Sequence, residues 1–417
     1  MKILLKNATV IDRNNPLHCK SVSLLIVNGI IKQIKDRIDS KVDLVIENEN
    51  LHISRGWWDP SVSFGEPGFE ERETINNGLK VAAKSGFTAI GLNPDVFPAT
   101  DNFSTASHLI NKSKNHTTSL YPIGCLTDSS KGIQMASLFD LNQAGAIAFG
   151  DYKKSVEKSN LLKIALEYSQ TFNGIVSVYP LDEGLSNSGI IHEGSVSTRL
   201  GLKGMSSITE TTRIARDIEI LKHTGGKLHF SYISSKDSLK LIEKAKTNGL
   251  NISCSVALPH LLFTDDSVNN FDANFKFFPP LRTIDDKTAL REGLLSGIID
   301  CVTSMHEPKN LEIKNLDFCS AASGSIGLEA FFSSMNNIFP IEKTIQFLTR
   351  GKNIFGIEDP EIEEGSKANL SFFNPDVNSV FKNENILSTS KNCCYVDQPI
   401  KGEVLGSINN GLLTLND

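Results

Sequence analysis

Between residues 51 and 303, short apolar runs alternate with amphipathic stretches. The runs lie at 51–59 (LHISRGWWD), 86–93 (GFTAIGLN), 119–125, 145–150, 174–179, 227–233, 251–257 and 297–303. Between them, segments such as TINNGLKVAAKSG and SNLLKIALEYSQTF repeat apolar positions at i, i+3 and i+4, the spacing of one helix face. KDSLKLIEKAKTNG sets Leu239, Leu241, Ile242 and Ala245 on such a face and stops at Gly249. Strands alternating with helices through this length predict an α/β fold, a (β/α)8 TIM barrel. The competing open doubly wound sheet would more often carry a G-x-G-x-x-G loop after its first strand, and none stands there. The two ends differ from the middle. KILLKNATVID, SVSLLIVNGIIKQIK and DLVIEN near the start, and KANLSFFNP and GEVLGSINNGLLTLN near the end, read as short strands, with a hairpin signal at Asn28-Gly29. They predict a small β-sandwich domain built from residues 1–50 plus 360–417, with the barrel occupying 51–359.

Composition narrows the function classes. A net charge of −6 and a pI near 5.9 provide no basic footprint for nucleic acid or an anionic membrane surface. No apolar run is long enough to span a bilayer, and MKILLKNATVID turns polar too early for a signal peptide, so a cytoplasmic protein is expected. Seven cysteines without C-x-x-C spacing, several inside apolar runs, read as reduced, small hydrophobes.

A barrel keeps its chemistry at the C-terminal ends of its strands. Those ends carry Asp59, Ser61 and Ser63, then Asn93-Pro94-Asp95, then Asp151, Tyr179, Tyr232 and Met305-His306. Asp59, Ser61 and Ser63 alternate and so share one face of an extended strand. Hydrolytic metal sites are built from several histidines and carboxylates. This set holds mostly hydroxyls, a thioether and isolated acids. The nine histidines include no H-x-H or H-E-x-x-H pair. His229, inside a strand run, is expected in the core, His260 in a loop or cap, and His306 retains a functional role. A Ser/His/Asp triad stays open, although no G-x-S-x-G elbow nominates its serine.

Taken in order, these segments resemble dihydroorotases of the amidohydrolase superfamily over nearly the whole chain. Asp59-Pro-Ser-Val-Ser-Phe-Gly-Glu-Pro-Gly68 is similar to D-x-H-x-H-x-R-E-P-G. NPDVFPATDN resembles the substrate loop M-P-N-T-x-P-x-x-D-N, and NFKFFPPLR resembles N-F-K-V-N-P-P-L-R. AGAIAFGD, HEGSVSTRLGLKGM (192–205), CVTSMHEP, SGSIGLE and GEVLGSINNG also match. By this resemblance Ser61 and Ser63 replace paired metal-binding histidines, and Gly65 replaces an arginine that binds the substrate carboxylate. Asp95 and Phe278 replace asparagines, Tyr179 and Tyr232 replace histidines, and Met305 replaces the aspartate that activates water. Asp151 and His306 persist as residual metal candidates.

The resemblance with these departures implies a degenerate site: a catalytically inactive dihydroorotase-like protein of pyrimidine biosynthesis with no cofactor. Its folded body would serve as a structural or regulatory partner of aspartate carbamoyltransferase, with segment 192–205 a candidate contact and a homodimer the expected state. The alternative is an active cyclic amidohydrolase that interconverts N-carbamoyl-aspartate and dihydroorotate, with zinc at an atypical site around Asp151 and His306. A third reading is a metal-free binder with an aromatic cleft of Trp57, Trp58, Tyr179, Tyr232 and Phe278.

Overall fold

A computed structural model describes residues 1–416. The eight apolar runs become eight parallel strands in one sheet, from Trp57–Val62 to Cys301–Thr303 in chain order, as a (β/α)8 barrel requires. The central strands are short: Ala148–Phe149, Val176–Val178 and Leu228–Phe230. Helices Ile75–Lys84, Ser159–Ser169, Ile208–Thr224 and Lys236–Thr247 lie where the periodic segments predict them. Thr74 and Ser235 cap the first and last of these, accepting from Asn77 N and Asp237 N.

The terminal strands form a separate sheet. Lys2–Val10, Ser21–Val27, Ile30–Lys35, Leu44–Ile46 and His52–Arg55 join Leu370–Val380, Pro399–Asn409 and Leu412–Leu415. The 51–59 run, expected as one strand, divides at Gly56. His52–Arg55 pairs with the terminal sheet, and the barrel begins at Trp57. A Cβ at Gly56 would stand 1.9 Å from Asn369 Oδ1 and 2.0 Å from Thr88 Oγ1, so only glycine passes between the sheets. Trp57 and Trp58 are core residues and do not line a cleft. Trp57 stacks on Phe332 at 4.7 Å, while Trp58 meets Tyr121 and Phe355.

The ladder of barrel strands leaves one seam, between the first and last strands. The fully buried Asp59 carboxylate fills it. Oδ1 accepts from Ser61 N (3.1 Å) and Thr303 Oγ1 (2.6 Å), and Oδ2 accepts from Ser304 N (2.9 Å). Ser63 N donates to His306 O at 2.9 Å, extending the contact. Replacing Asp59 by Asn turns an NH2 toward a buried N–H or hydroxyl donor. Asp59→Asn is expected to lower unfolding stability at pH 7 by about 1–3 kcal/mol, measured by urea denaturation, with Thr303→Val showing a loss of the same sign.

Candidate active site at the barrel mouth

The first strand turns its serines into a directed hydrogen-bond chain. Ser61 Oγ donates to Asn93 Oδ1 (2.7 Å), which leaves the Tyr232 hydroxyl to donate to Ser61. Asn93 Nδ2 donates to Ser63 Oγ (3.1 Å), and Ser63 Oγ donates to Asp95 Oδ1 (2.9 Å). Each serine hydroxyl therefore gives one hydrogen bond and takes one, so neither its proton nor its oxygen is left unpaired in a buried site. Burial, reinforced by the charge of Glu307, raises the Asp95 carboxyl above the usual carboxylate range. Burial also raises the Tyr232 and Tyr179 phenols far above their ordinary value, so both stay protonated.

The other expected residues stand as follows. Tyr179 packs its ring 5.4 Å from Phe278 and 6.5 Å from Tyr232, and its buried hydroxyl has no partner. Met305 is buried with φ 55°, and Tyr152 and Tyr232 share that left-handed backbone. For non-glycine residues such conformations store strain, which persists where the surroundings fix them. Asp151 is spent on its neighbours: Oδ1 accepts from Leu126 N (2.9 Å) and Thr127 N (3.0 Å), and Oδ2 from the Thr127 hydroxyl. His306 Nδ1 accepts from Gly327 N (3.2 Å), and burial lowers the ring to about 4, so it is neutral with an unpartnered Nε2. Gly65 has no room for a side chain, because a Cβ there would lie 2.3 Å from Phe69 O.

His229 is a core residue, with Nδ1 and Nε2 2.8 and 3.2 Å from the Ser253 and Ser255 hydroxyls. His260, expected in a loop or cap, is instead buried in helix Leu258–Leu262, where Nε2 donates to Pro279 O. The apolar neighbours in ALPHLLF continue the helix across it. Segment 192–205 folds onto the barrel through Arg282, which donates to His192 Nδ1 (3.2 Å) and Met205 O (2.8 Å).

Sequence reasoning missed a charged cluster beside this chain. Lys153 Nζ lies 2.6 Å from Glu307 Oε2, and Lys309 Nζ lies 2.9 Å from Oε1. The pairs come from the ends of the fourth and eighth strands: Lys153 stands two residues after Asp151, and Glu307 directly follows His306, but nothing in either segment marks the two as partners. Together with the 94–101 loop and residues 129–131, Lys153 lines an open cavity of about 490 Å³.

Comparison with known proteins places this geometry. The Dihydro-orotase-like family model matches residues 53–238. A dihydroorotase of Pelotomaculum thermopropionicum is 32% identical over 426 residues, covering 100% of this chain and 99% of that protein. The chain belongs to the dihydroorotase family. A second dihydroorotase, from Caldicellulosiruptor saccharolyticus, is 35% identical, again across 100% of this chain and 99% of the relative. In fold, the L-hydantoinase (dihydropyrimidinase) of Arthrobacter aurescens superposes with a TM-score of 0.84 at 17% identity, covering 99% of this chain and 96% of that one. The D-hydantoinase of a Thermus species reaches 0.82, also at 17%, covering 100% and 95%.

These relatives correct two expectations. End-to-end similarity to proteins named for an enzyme activity points to a cyclic amidohydrolase, not to an inactive structural partner. The expectation of no cofactor falls with it, because the family resemblance ties that hydrolysis to a bound metal. The residues at the corresponding positions nevertheless do not form a metal-ligand set. They present neutral hydroxyls, a thioether, an aspartate with both oxygens already accepting hydrogen bonds, and a histidine ring held by backbone N–H groups. The one group with ligand atoms within reach of one another, among the described residues, is His18, Cys19 and Glu342, on the terminal sheet and the helix beside it. There His18 Nδ1 accepts from Asp12 N, so a neutral ring carries its proton on the nitrogen a metal would need.

Burial alone would raise the Glu307 carboxyl, but Lys153 and Lys309 outweigh it and bring the group down to about 2. A carboxyl lowered from its ordinary 4.5 contributes stability that is complete above that value and lost as pH falls toward 2. Denaturant titrations from pH 7 to 2 are expected to show wild type losing this contribution below pH 4.5, while Glu307→Gln starts about 3 kcal/mol lower at pH 7 and declines less.

Proposed function

We propose that the chain is a cyclic-amide hydrolase that interconverts N-carbamoyl-aspartate and dihydroorotate, working in the cytoplasm. The observation that carries this reading is similarity of 28–35% identity, across essentially the whole chain, to several curated dihydroorotases. The mouth cavity supports it, being of the size that encloses a small-molecule substrate.

In this reading the chain's own residues bind the ring and handle one proton. The buried Tyr152 hydroxyl, protonated and without a partner among the described residues, lines the cavity as a donor for the substrate. Asp95 is the acid–base group. It lines the cavity, its carboxyl is raised toward the working pH range, and one of its oxygens is not engaged by the chain from Ser63. Asp151 lines the same cavity, but each of its oxygens already accepts a hydrogen bond, two on Oδ1 and one on Oδ2. No step is routed through a metal, for which the site offers no ligand set.

Ring opening and closing should be followed chromatographically with purified protein, with and without added zinc. Turnover that falls about 10²-fold or more in Asp95→Asn, with the variant still folded, is the expected result. Wild-type protein that turns over neither compound under either condition would overturn the reading.

A further inference from the structure

The mouth cavity holds an ammonium with unused hydrogen-bonding capacity. The Lys153 side chain is only 11% exposed, yet among the described residues Nζ donates one hydrogen bond, to Glu307 Oε2. Two of its three N–H groups are therefore without an acceptor, in a place where water has little access. Its position is fixed on several sides. Glu307 holds it at 2.6 Å, and the rings of Tyr152 and Tyr232 lie 5.3 and 5.8 Å away. Glu307 cannot satisfy it further, because its other oxygen takes Lys309.

The charges lining the cavity balance, Asp95, Asp101 and Asp151 against Lys131, Lys153 and Lys154, so recognition of an anion rests on which groups keep free bonding capacity. The acids are largely occupied: Asp151 by Leu126 and Thr127, Asp101 by Ser129 and Asn102, and one oxygen of Asp95 by Ser63. Lys131 and Lys154 line the outer side and add positive potential at the entrance. The unpartnered Tyr152 hydroxyl lies in the same wall and offers a second donor.

We propose that Lys153, braced by Glu307, is the recognition cation of this cavity and binds the carboxylate of a small anionic substrate, with the Tyr152 hydroxyl as co-donor. This rests on the reading of the cavity as the substrate site and deepens it: the preferred ligands carry a carboxylate beside the cyclic amide. A desolvated ammonium with fixed geometry forms charge-assisted hydrogen bonds stronger than neutral ones. The position also explains how the site recognises an anion although Gly65 admits no side chain.

The test is calorimetric binding of dihydroorotate, which carries a carboxylate, and of dihydrouracil, the same ring without one. Wild type, Lys153→Met, Lys153→Arg and the entrance variant Lys154→Met are compared, each checked for folding by its thermal transition. Wild type should prefer dihydroorotate. Lys153→Met should lose roughly 10- to 100-fold in affinity for dihydroorotate alone, Lys153→Arg should recover part of it, and Lys154→Met, which removes only solvent-screened potential at the entrance, should lose much less than Lys153→Met. Equal binding of the two rings by wild type, or undiminished dihydroorotate binding by folded Lys153→Met, would overturn the proposal. Lys153-dependent binding without turnover would leave it standing and overturn the hydrolase reading instead.

Discussion

The barrel depends on a carboxylate that closes it. Backbone pairing runs through eight strands in order and stops short of joining the last to the first. Asp59 completes the ring by accepting from its own strand at Ser61 and from the last strand at Thr303 and Ser304. An isolated buried carboxylate would be strongly unfavourable, and these donors are what make it tolerable. Even so, burial dominates and pushes the Asp59 carboxyl up to about 6. Because this one group joins the two strand ends, it also sets where Ser61 and Ser63 stand relative to Met305, His306 and Glu307. The mouth is therefore positioned by the same contact that closes the barrel.

With the seam fixed, the mouth is organised by hydroxyl chemistry. The chain from Tyr232 through Ser61, Asn93 and Ser63 to Asp95 satisfies each member in one direction. Such a network rigidifies because rotating any hydroxyl leaves a buried partner unsatisfied. The left-handed backbones at Tyr152, Tyr232 and Met305 lie around it. Strained, over-determined backbone at strand ends is a feature of functional sites, and here it persists with different side chains.

Much of the fold could be read from the sequence because the strand and helix periods differ so clearly. The eight apolar runs and the periodic helical segments between them carried it. The division of 51–59 could not be read, since apolar residues stand on both sides of Gly56 and only the tertiary approach of Asn369 and Thr88 explains that glycine. The tryptophans were misplaced for a related reason: an aromatic pair near a polar motif has the same pattern whether it faces core or cleft. Ser61, Ser63, Asp95 and Tyr232 were legible as site positions and do come together. The Lys153–Glu307 pair was not, because its members lie 154 residues apart and nothing local marks them as partners.

The site's departures from its family form a pattern when charge is followed instead of residue identity. Ser61 and Ser63, where the resemblance implies metal-binding histidines, are neutral hydroxyls engaged in hydrogen bonds with Asn93, Tyr232 and Asp95. Positive charge is instead covalently present, as the Lys153 and Lys309 ammonium groups on the two oxygens of Glu307. That trio carries one net positive charge, and Asp95 faces it with a carboxyl whose proton affinity burial has raised. A fixed ammonium can orient an anion and stabilise developing negative charge, and it does so without reorganising as the reaction proceeds. What it cannot do is make hydroxide from water as a bound metal does. Burial raises the proton affinity of two carboxyls on the cavity wall, Asp95 and Asp151, and of these Asp95, at the end of the hydroxyl relay, keeps the oxygen that no neighbouring donor engages.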